Sequence, residues 1–237
     1  MLFKSVNFTQ SNDEETCVDI YEASEPINLK LIALHGAGKS DRNRCRAICS
    51  AFAKVGISSI APDLSGAGNS KHIKPLTLNH RLQTAIETID SFIPQEGKFI
   101  VAAFSMSGQT AIDLSIKYGK RMQCLILFSP AIYSIESIDK PFGDAFSSVI
   151  RKENSWMNSS APNTLKQFDG NVLLVTPDND TVIPKGVFDI IKHSVNKDKL
   201  KEIVFNDAPH TLGSWLNENP THAEYITKET LLCIQVS

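Results

Sequence analysis

"FIVAAFSMSGQTAI", residues 99–112, changes character halfway along. Phe99 to Phe104 are six apolar residues in a row, as in a strand buried on both faces. Two serines and a glycine interrupt the run, and from Gln109 onward the sequence reads as a helix. Such a joint can hold a nucleophile clear of a packed sheet. A serine hydroxyl needs that exposure, and a base to take its proton. The turn requires small residues two before and two after the nucleophile, because the backbone passes close to itself. Centred on Ser105, those positions are Ala103 and Ser107, with Gly108 following. Centred on Ser107, they are Ser105 and the long Gln109. The steric requirement selects Ser105 and leaves Ser107 as a small spacer. The same turn sets the Met106 amide at a helix N-terminus, where N–H groups bind negative charge.

Outward from this joint, strands and helices alternate. "LKLIALH", "ISSIAPD", "CLILFS", "NVLLVT" and "KEIVFN" are further short apolar runs. Residues 2–8 and 17–21 read as an opening hairpin. Cys45, Ile48, Cys49 and Phe52 form one helical stripe, with Gly56 placed to end it. Leu78, Leu82, Ala85, Ile86 and Ile89 form a longer one after Thr77, and residues 112–118, 187–191 and 223–233 supply more helix. The pattern predicts an α/β fold: a mostly parallel, doubly wound sheet with helices on both faces. Ligands then sit at the strands' carboxyl ends. Between Ser129 and Asn171 about forty residues lack a strong strand, where short connections are usual. Phe142, Phe146, Val149 and Ile150 fall there at helical spacing, which predicts a small cap inserted at about 131–170. No repeat or linker divides residues 1–237, so a single domain is expected.

Lys and Arg total 24 against 26 Asp and Glu, a net charge of −2, without the basic excess that nucleic-acid binding demands. No apolar run approaches the length of a membrane span, and "MLFKSVNFTQ" lacks a secretory apolar stretch. A cytoplasmic protein is expected. The five cysteines are scattered without disulfide or zinc spacing, and Cys45 with Cys49 reads as packing. No metal or cofactor is expected.

The loops after the strands carry the remaining chemistry. In "LIALHGAGKSD", residues 31–41, Gly38-Lys39-Ser40 matches the tail of a phosphate-binding P-loop. The first glycine of that motif is replaced by Ala33 inside the strand, so the P-loop reading is the weaker alternative. The stronger is a loop of small residues that exposes a backbone N–H to a developing oxyanion. "APDLSGAGNS", residues 61–70, reads as a structural turn tied by Asp63. "NVLLVTPDNDTVIP" offers two acids, Asp178 and Asp180, and "KEIVFNDAPHTL" offers His210. A serine, an acid and a histidine in that order, each after a strand, make a set for acyl transfer.

These motifs together resemble a serine hydrolase of the α/β-hydrolase fold over essentially the whole chain. "HGAG" resembles the family's oxyanion-loop His-Gly, "PDLSGAGNS" its Asp-x-x-Gly-x-Gly-x-Ser turn, and "AFSMSG" its nucleophile elbow. "TPDNDTVIP" resembles the segment bearing the acid, and "DAPHTL" the histidine loop. The resemblance implies Ser105 as nucleophile, His210 as general base and acid, and Asp180 as its orienting partner. It implies an oxyanion hole from the amides of Ala37 and Met106. Ala103 and Ser107 replace the elbow glycines, and Pro177 and Pro209 replace glycines before the acid and the histidine. A small-molecule acyl substrate is expected, an ester or a thioester. Trp156, Phe142 and Phe146 are candidates for an apolar acyl pocket suited to a small or medium group. Lys39, Arg42, Arg44 and Arg46 are candidates for meeting a phosphate-bearing substrate. A catalytically silent binding protein on the same fold is the alternative function.

Overall fold

The apolar runs form the strands β1 (Leu2–Thr9), β2 (Glu15–Glu22), β3 (Leu29–Leu34), β4 (Ser59–Pro62), β5 (Lys98–Phe104), β6 (Met122–Phe128), β7 (Asn171–Pro177) and β8 (Leu200–Phe205). They belong to a computed structural model that describes residues 1–64, 68 and 76–235. The strands make one sheet in the order β1-β2-β4-β3-β5-β6-β7-β8. β1 and β2 are the antiparallel hairpin, and β2 also runs antiparallel to β4. From β4 across to β8 every pairing is parallel.

Parallel neighbours need crossover connections, and helices supply them. They are α1 (Arg46–Lys54), α2 (Leu78–Phe92), α3 (Ser107–Tyr118), α4 (Asp144–Ile150), α5 (Ala161–Gln167), α6 (Lys185–Ser194), α7 (Leu212–Glu218) and α8 (Pro220–Gln235). Side chains on a strand alternate between faces, so each run feeds two cores. Ile32, Leu34, Val101, Ala103, Leu125 and Leu127 point to the face covered by α2, α3, α5 and α6. Leu31, Ala33, Ile100, Ala102, Cys124 and Ile126 point to the face covered by α1, α7 and α8. Cys45 and Cys49 are buried in that second core. Among the described residues no helix is long and apolar enough to cross a membrane.

The helices depart from the sequence reading in instructive ways. α1 stops two residues before Gly56, whose φ of +90° suits glycine, and the Thr77 side chain caps α2 through the His80 amide at 3.0 Å. The buried stripe of α2, however, is Leu78, Arg81, Thr84, Ala85, Thr88 and Ile89, while Leu82 and Ile86 are only half-buried. The helix is turned so that an arginine faces inward. α3 begins at Ser107, directly from the elbow, and α5 and α7 carry no strong periodic signal in the sequence. Between β6 and β7 lie α4, α5 and two short 3₁₀ turns, where the cap was expected. Ser65, Gly66, Ala67, Asn69 and Ser70 of the glycine turn lie outside the described residues.

His35 and Asp63 fix the loops after β3 and β4. His35 is fully buried; its Nε2 accepts the Leu64 amide at 2.9 Å, and its Nδ1 donates to the Gly36 carbonyl at 2.8 Å. Accepting at Nε2 requires the neutral ring, with its proton on Nδ1. Burial, and then the charge of Arg81, hold its pKa down to about 3. Asp63 accepts the Arg42 amide at 2.9 Å and pairs with the Arg42 guanidinium, which also bonds Asp19 at 2.8 Å. Burial opposes the charge on Arg42, but the Asp19 bond and the Asp63 charge outweigh it and raise its pKa. Breaking such a buried pair from one side typically costs about 3–5 kcal/mol.

Two outcomes follow. The folded protein resists protonating His35 where the unfolded chain takes the proton, so stability is complete above about pH 6.5 and declines as pH falls toward about 3. The slope approaches about 1.4 kcal/mol per pH unit. Urea midpoints measured between pH 7 and 5 should fall in wild type and lie flatter, from a lower start, in His35→Gln; parallel curves would count against this. Gly108→Ala should cost about 1–3 kcal/mol in the same assay. Its new Cβ would stand 2.6 Å from Pro130 Cβ and 2.9 Å from the Ala131 carbonyl.

Candidate active site

β5 delivers Ser105 into a left-handed backbone, φ +49°. For a residue with a side chain this costs about 1–3 kcal/mol and persists only when surroundings over-determine it. Here the Ser105 amide donates to the Phe128 carbonyl at 2.9 Å, and its carbonyl accepts the Gly108 and Ala131 amides, each at 2.9 Å. The turn is thereby tied to the end of β6 and to the start of the connection after it. Gly36 passes close by, its Cβ direction 3.4 Å from Ser105 Cβ.

The loop after β7 brings Asp180 to the site and leaves Asp178 exposed. Asp180 Oδ1 accepts the Val182 and Ile183 amides at 2.8 and 2.9 Å. Its Oδ2 lies 2.9 Å from His210 Nδ1, and His210 Nε2 lies 3.1 Å from Ser105 Oγ. Burial pushes the Asp180 carboxyl up, but the His210 bond and the two amides outweigh it, so its pKa is lowered. The acid is ionised, His210 Nδ1 donates to it, and Nε2 is left facing the serine. Three residues from the ends of three strands thus form one continuous hydrogen-bonded chain.

Ser107 is fully buried and is more than a spacer. Its hydroxyl donates to the His35 carbonyl at 2.6 Å and accepts from Arg81 Nη2 at 2.9 Å. A glycine there would leave the carbonyl and the guanidinium without this bridge. The amides of Ala37 and Met106 take no part in a hydrogen bond among the described residues. Ala37 lies on the loop after β3, and Met106 directly precedes α3.

Two cavities flank the Gly36–Ala37–Gly38 loop. One, of about 450 Å³, is lined by Ser105, His210, Leu212, Lys39 and Arg44 among others. The other, of about 210 Å³, lies beneath α4 and is lined by Leu76, Arg81, Met106, Phe142 and Phe146. Phe142 and Phe146 pack edge to face, with centroids 5.1 Å apart. Trp156, expected beside them, is placed elsewhere. It stands against α6, where a Cβ on Gly186 would come within 2.6 Å of its ring, and it lines neither cavity. Of the four cations considered in the sequence, Arg42 is engaged by Asp19 and Asp63, and Arg46 is exposed; Lys39 and Arg44 reach the larger cavity. Arg81 is the residue that sequence reasoning missed. Its signal was its place three residues after Leu78 and four before Ala85, on the apolar face of α2.

Comparison with known proteins agrees with this architecture. The thermophilic esterase from Thermogutta terrifontis superposes with a TM-score of 0.73 at 16% identity, covering 98% of this chain and 99% of that one. The thioesterase domain from the curacin biosynthetic pathway gives 0.71 at 14% identity, covering 98% and 100%. A serine hydrolase involved in carbazole degradation gives 0.70 at 16% identity, covering all of both chains. At these identities the likeness carries the fold alone. No curated protein matches the sequence. A family model described as Hydrolase_4, serine aminopeptidase S33, matches residues 25–220. With the sheet order and the elbow already described, that match places the chain in this family of the α/β-hydrolase superfamily.

Proposed function

We propose that the protein is a serine hydrolase that cleaves a carboxylic ester or thioester through an acyl-enzyme on Ser105. The observation that carries this reading is the hydrogen-bonded chain from Ser105 Oγ through His210 to Asp180, beside two unspent amides. Asp180 holds the imidazole in the tautomer whose Nε2 lone pair points at the serine. His210 takes the serine proton as Ser105 attacks the carbonyl, and the Ala37 and Met106 amides receive the developing oxyanion. Such a donor is typically worth about 3–4 kcal/mol in the transition state. His210 then gives its proton to the leaving group and afterwards activates water against the acyl-enzyme.

Proton delivery also assigns the two cavities. The leaving group must lie where His210 can protonate it, which is the larger cavity of about 450 Å³. The acyl group then takes the cavity beyond the oxyanion loop, under Phe142 and Phe146. At about 210 Å³ it is smaller than the usual 300–1,000 Å³ of a small-molecule pocket, which favours a short acyl group. Lys39 and Arg44 on the leaving-group side suit an anionic carrier. An esterase and a thioesterase both occur among the structural neighbours, so the fold itself is compatible with either bond type.

A fluorophosphonate probe should label the wild-type protein and fail on Ser105→Ala. Asp180→Asn should keep the fold while kcat on a short ester falls by about 10³–10⁴, because the wrong imidazole tautomer then dominates. Absence of labelling in folded wild type would instead leave the catalytically silent binding protein as the reading.

A further inference from the structure

Arg81 is 3% exposed, and among the described residues no carboxylate faces it. All its hydrogen bonds leave from Nη2: to the His35 carbonyl at 2.6 Å, the Gly36 carbonyl at 3.3 Å and Ser107 Oγ at 2.9 Å. Among the described residues Nε is buried without an acceptor. Buried guanidinium groups are ordinarily paired, because an ion moved out of water loses several kcal/mol of solvation. Carbonyl and hydroxyl dipoles return only part of that. Burial brings its pKa down to about 10, so the group stays charged at neutral pH.

A clamp on the oxyanion loop would account for Nη2. It does not account for the bare Nε, nor for the rest of the side chain forming a wall of the 210 Å³ cavity. The other walls are apolar or neutral: Leu76, Met106, Phe142 and Phe146, with the uncharged His35 behind the loop. A short cavity with one buried, unpaired cation complements a short ligand with one negative charge.

We propose that this cavity binds a carboxylate at the distal end of the acyl group, so that the preferred substrates are esters or thioesters of short dicarboxylic acids. This rests on the acyl-enzyme reading above and names the substrate class of the same site. Arg81 supplies the counter-charge, and Phe142 and Phe146 enclose the intervening methylenes. In the absence of that carboxylate the guanidinium is incompletely solvated; with it, the bond is a charge-assisted one in a site shielded from water.

The test compares matched thioesters of N-acetylcysteamine, succinyl against butanoyl and glutaryl against pentanoyl, by thiol release. In wild type the carboxylate-bearing member of at least one pair should have a kcat/KM about tenfold or more above its neutral partner. Arg81→Met should bring that ratio to one or below, and Arg81→Lys should keep part of it. Loss of a loop clamp alone would lower both members equally and leave the ratio intact, and that result would overturn the proposal. Should Arg81→Met fail to fold, Leu76→Glu places a carboxylate in the cavity wall and should abolish the preference. A wild-type ratio of one or less, with the neutral thioesters cleaved, overturns the dicarboxylate assignment and leaves the hydrolase standing. If no thioester is cleaved and the fluorophosphonate does not label, the hydrolase reading fails. Calorimetry of glutarate with Ser105→Ala, with and without Arg81→Met, then decides the cavity by itself: binding lost with Arg81 supports it, and equal or absent binding overturns it.

Discussion

Ser105 must hold a left-handed backbone conformation that its own side chain disfavours, and much of the fold around it serves that requirement. The turn is held by backbone bonds to Phe128, Gly108 and Ala131, so β6 and the chain leaving it are part of the elbow's support. Gly36 and Gly108 lack side chains where the loop after β3 and the Pro130 segment come closest. Buried bonds brace the same region: the neutral His35 ties it to Leu64 after β4, and Arg42 ties the loop to Asp63 and Asp19. Strain at one residue is thus spread over contacts from four strands.

The strands were legible because burial on both faces of a parallel sheet leaves continuous apolar runs, and each of the six quoted runs is a strand. The elbow was legible because its steric demand for small residues is local. The choice between Asp178 and Asp180 was not legible from residue type alone. It depends on which carboxylate the Val182 and Ile183 amides can reach after the turn, and that is three-dimensional information. Trp156 was misplaced because an aromatic residue in a cap carries no sign of which surface it covers, and the glycine that receives it, Gly186, lies thirty residues further on.

Arg81 was hidden for a different reason. A charged residue within an amphipathic helix reads as solvent-facing, so the expected stripe of Leu78, Leu82, Ala85, Ile86 and Ile89 passes it over. Thr84 and Thr88 share its buried face and satisfy their hydroxyls on carbonyls four residues back, at 3.1 and 2.8 Å. A helix can therefore bury polar side chains without partners on other elements, which weakens hydropathy as a guide to its orientation. Ser107 belongs to the same case. Its hydroxyl matters only because an arginine from α2 and a carbonyl from the end of β3 arrive beside it.

The arrangement of charge around the Gly36–Ala37–Gly38 loop follows from these placements. The peptide whose carbonyl faces Arg81 Nη2 at 3.3 Å is the Gly36–Ala37 peptide, and its N–H is that of Ala37. A cation on the oxygen of a peptide draws electron density from its nitrogen and makes that N–H a stronger donor, in a site where low local dielectric enlarges the effect. A protonated His35 would place a second positive charge beside Arg81 and lose the Leu64 bond, so its neutrality and the arginine's charge are mutually dependent. Arg42 adds no free charge, because Asp19 and Asp63 neutralise it. The loop is left with one desolvated cation behind it and solvent-facing Lys39 and Arg44 in front, which places positive charge on both of its sides.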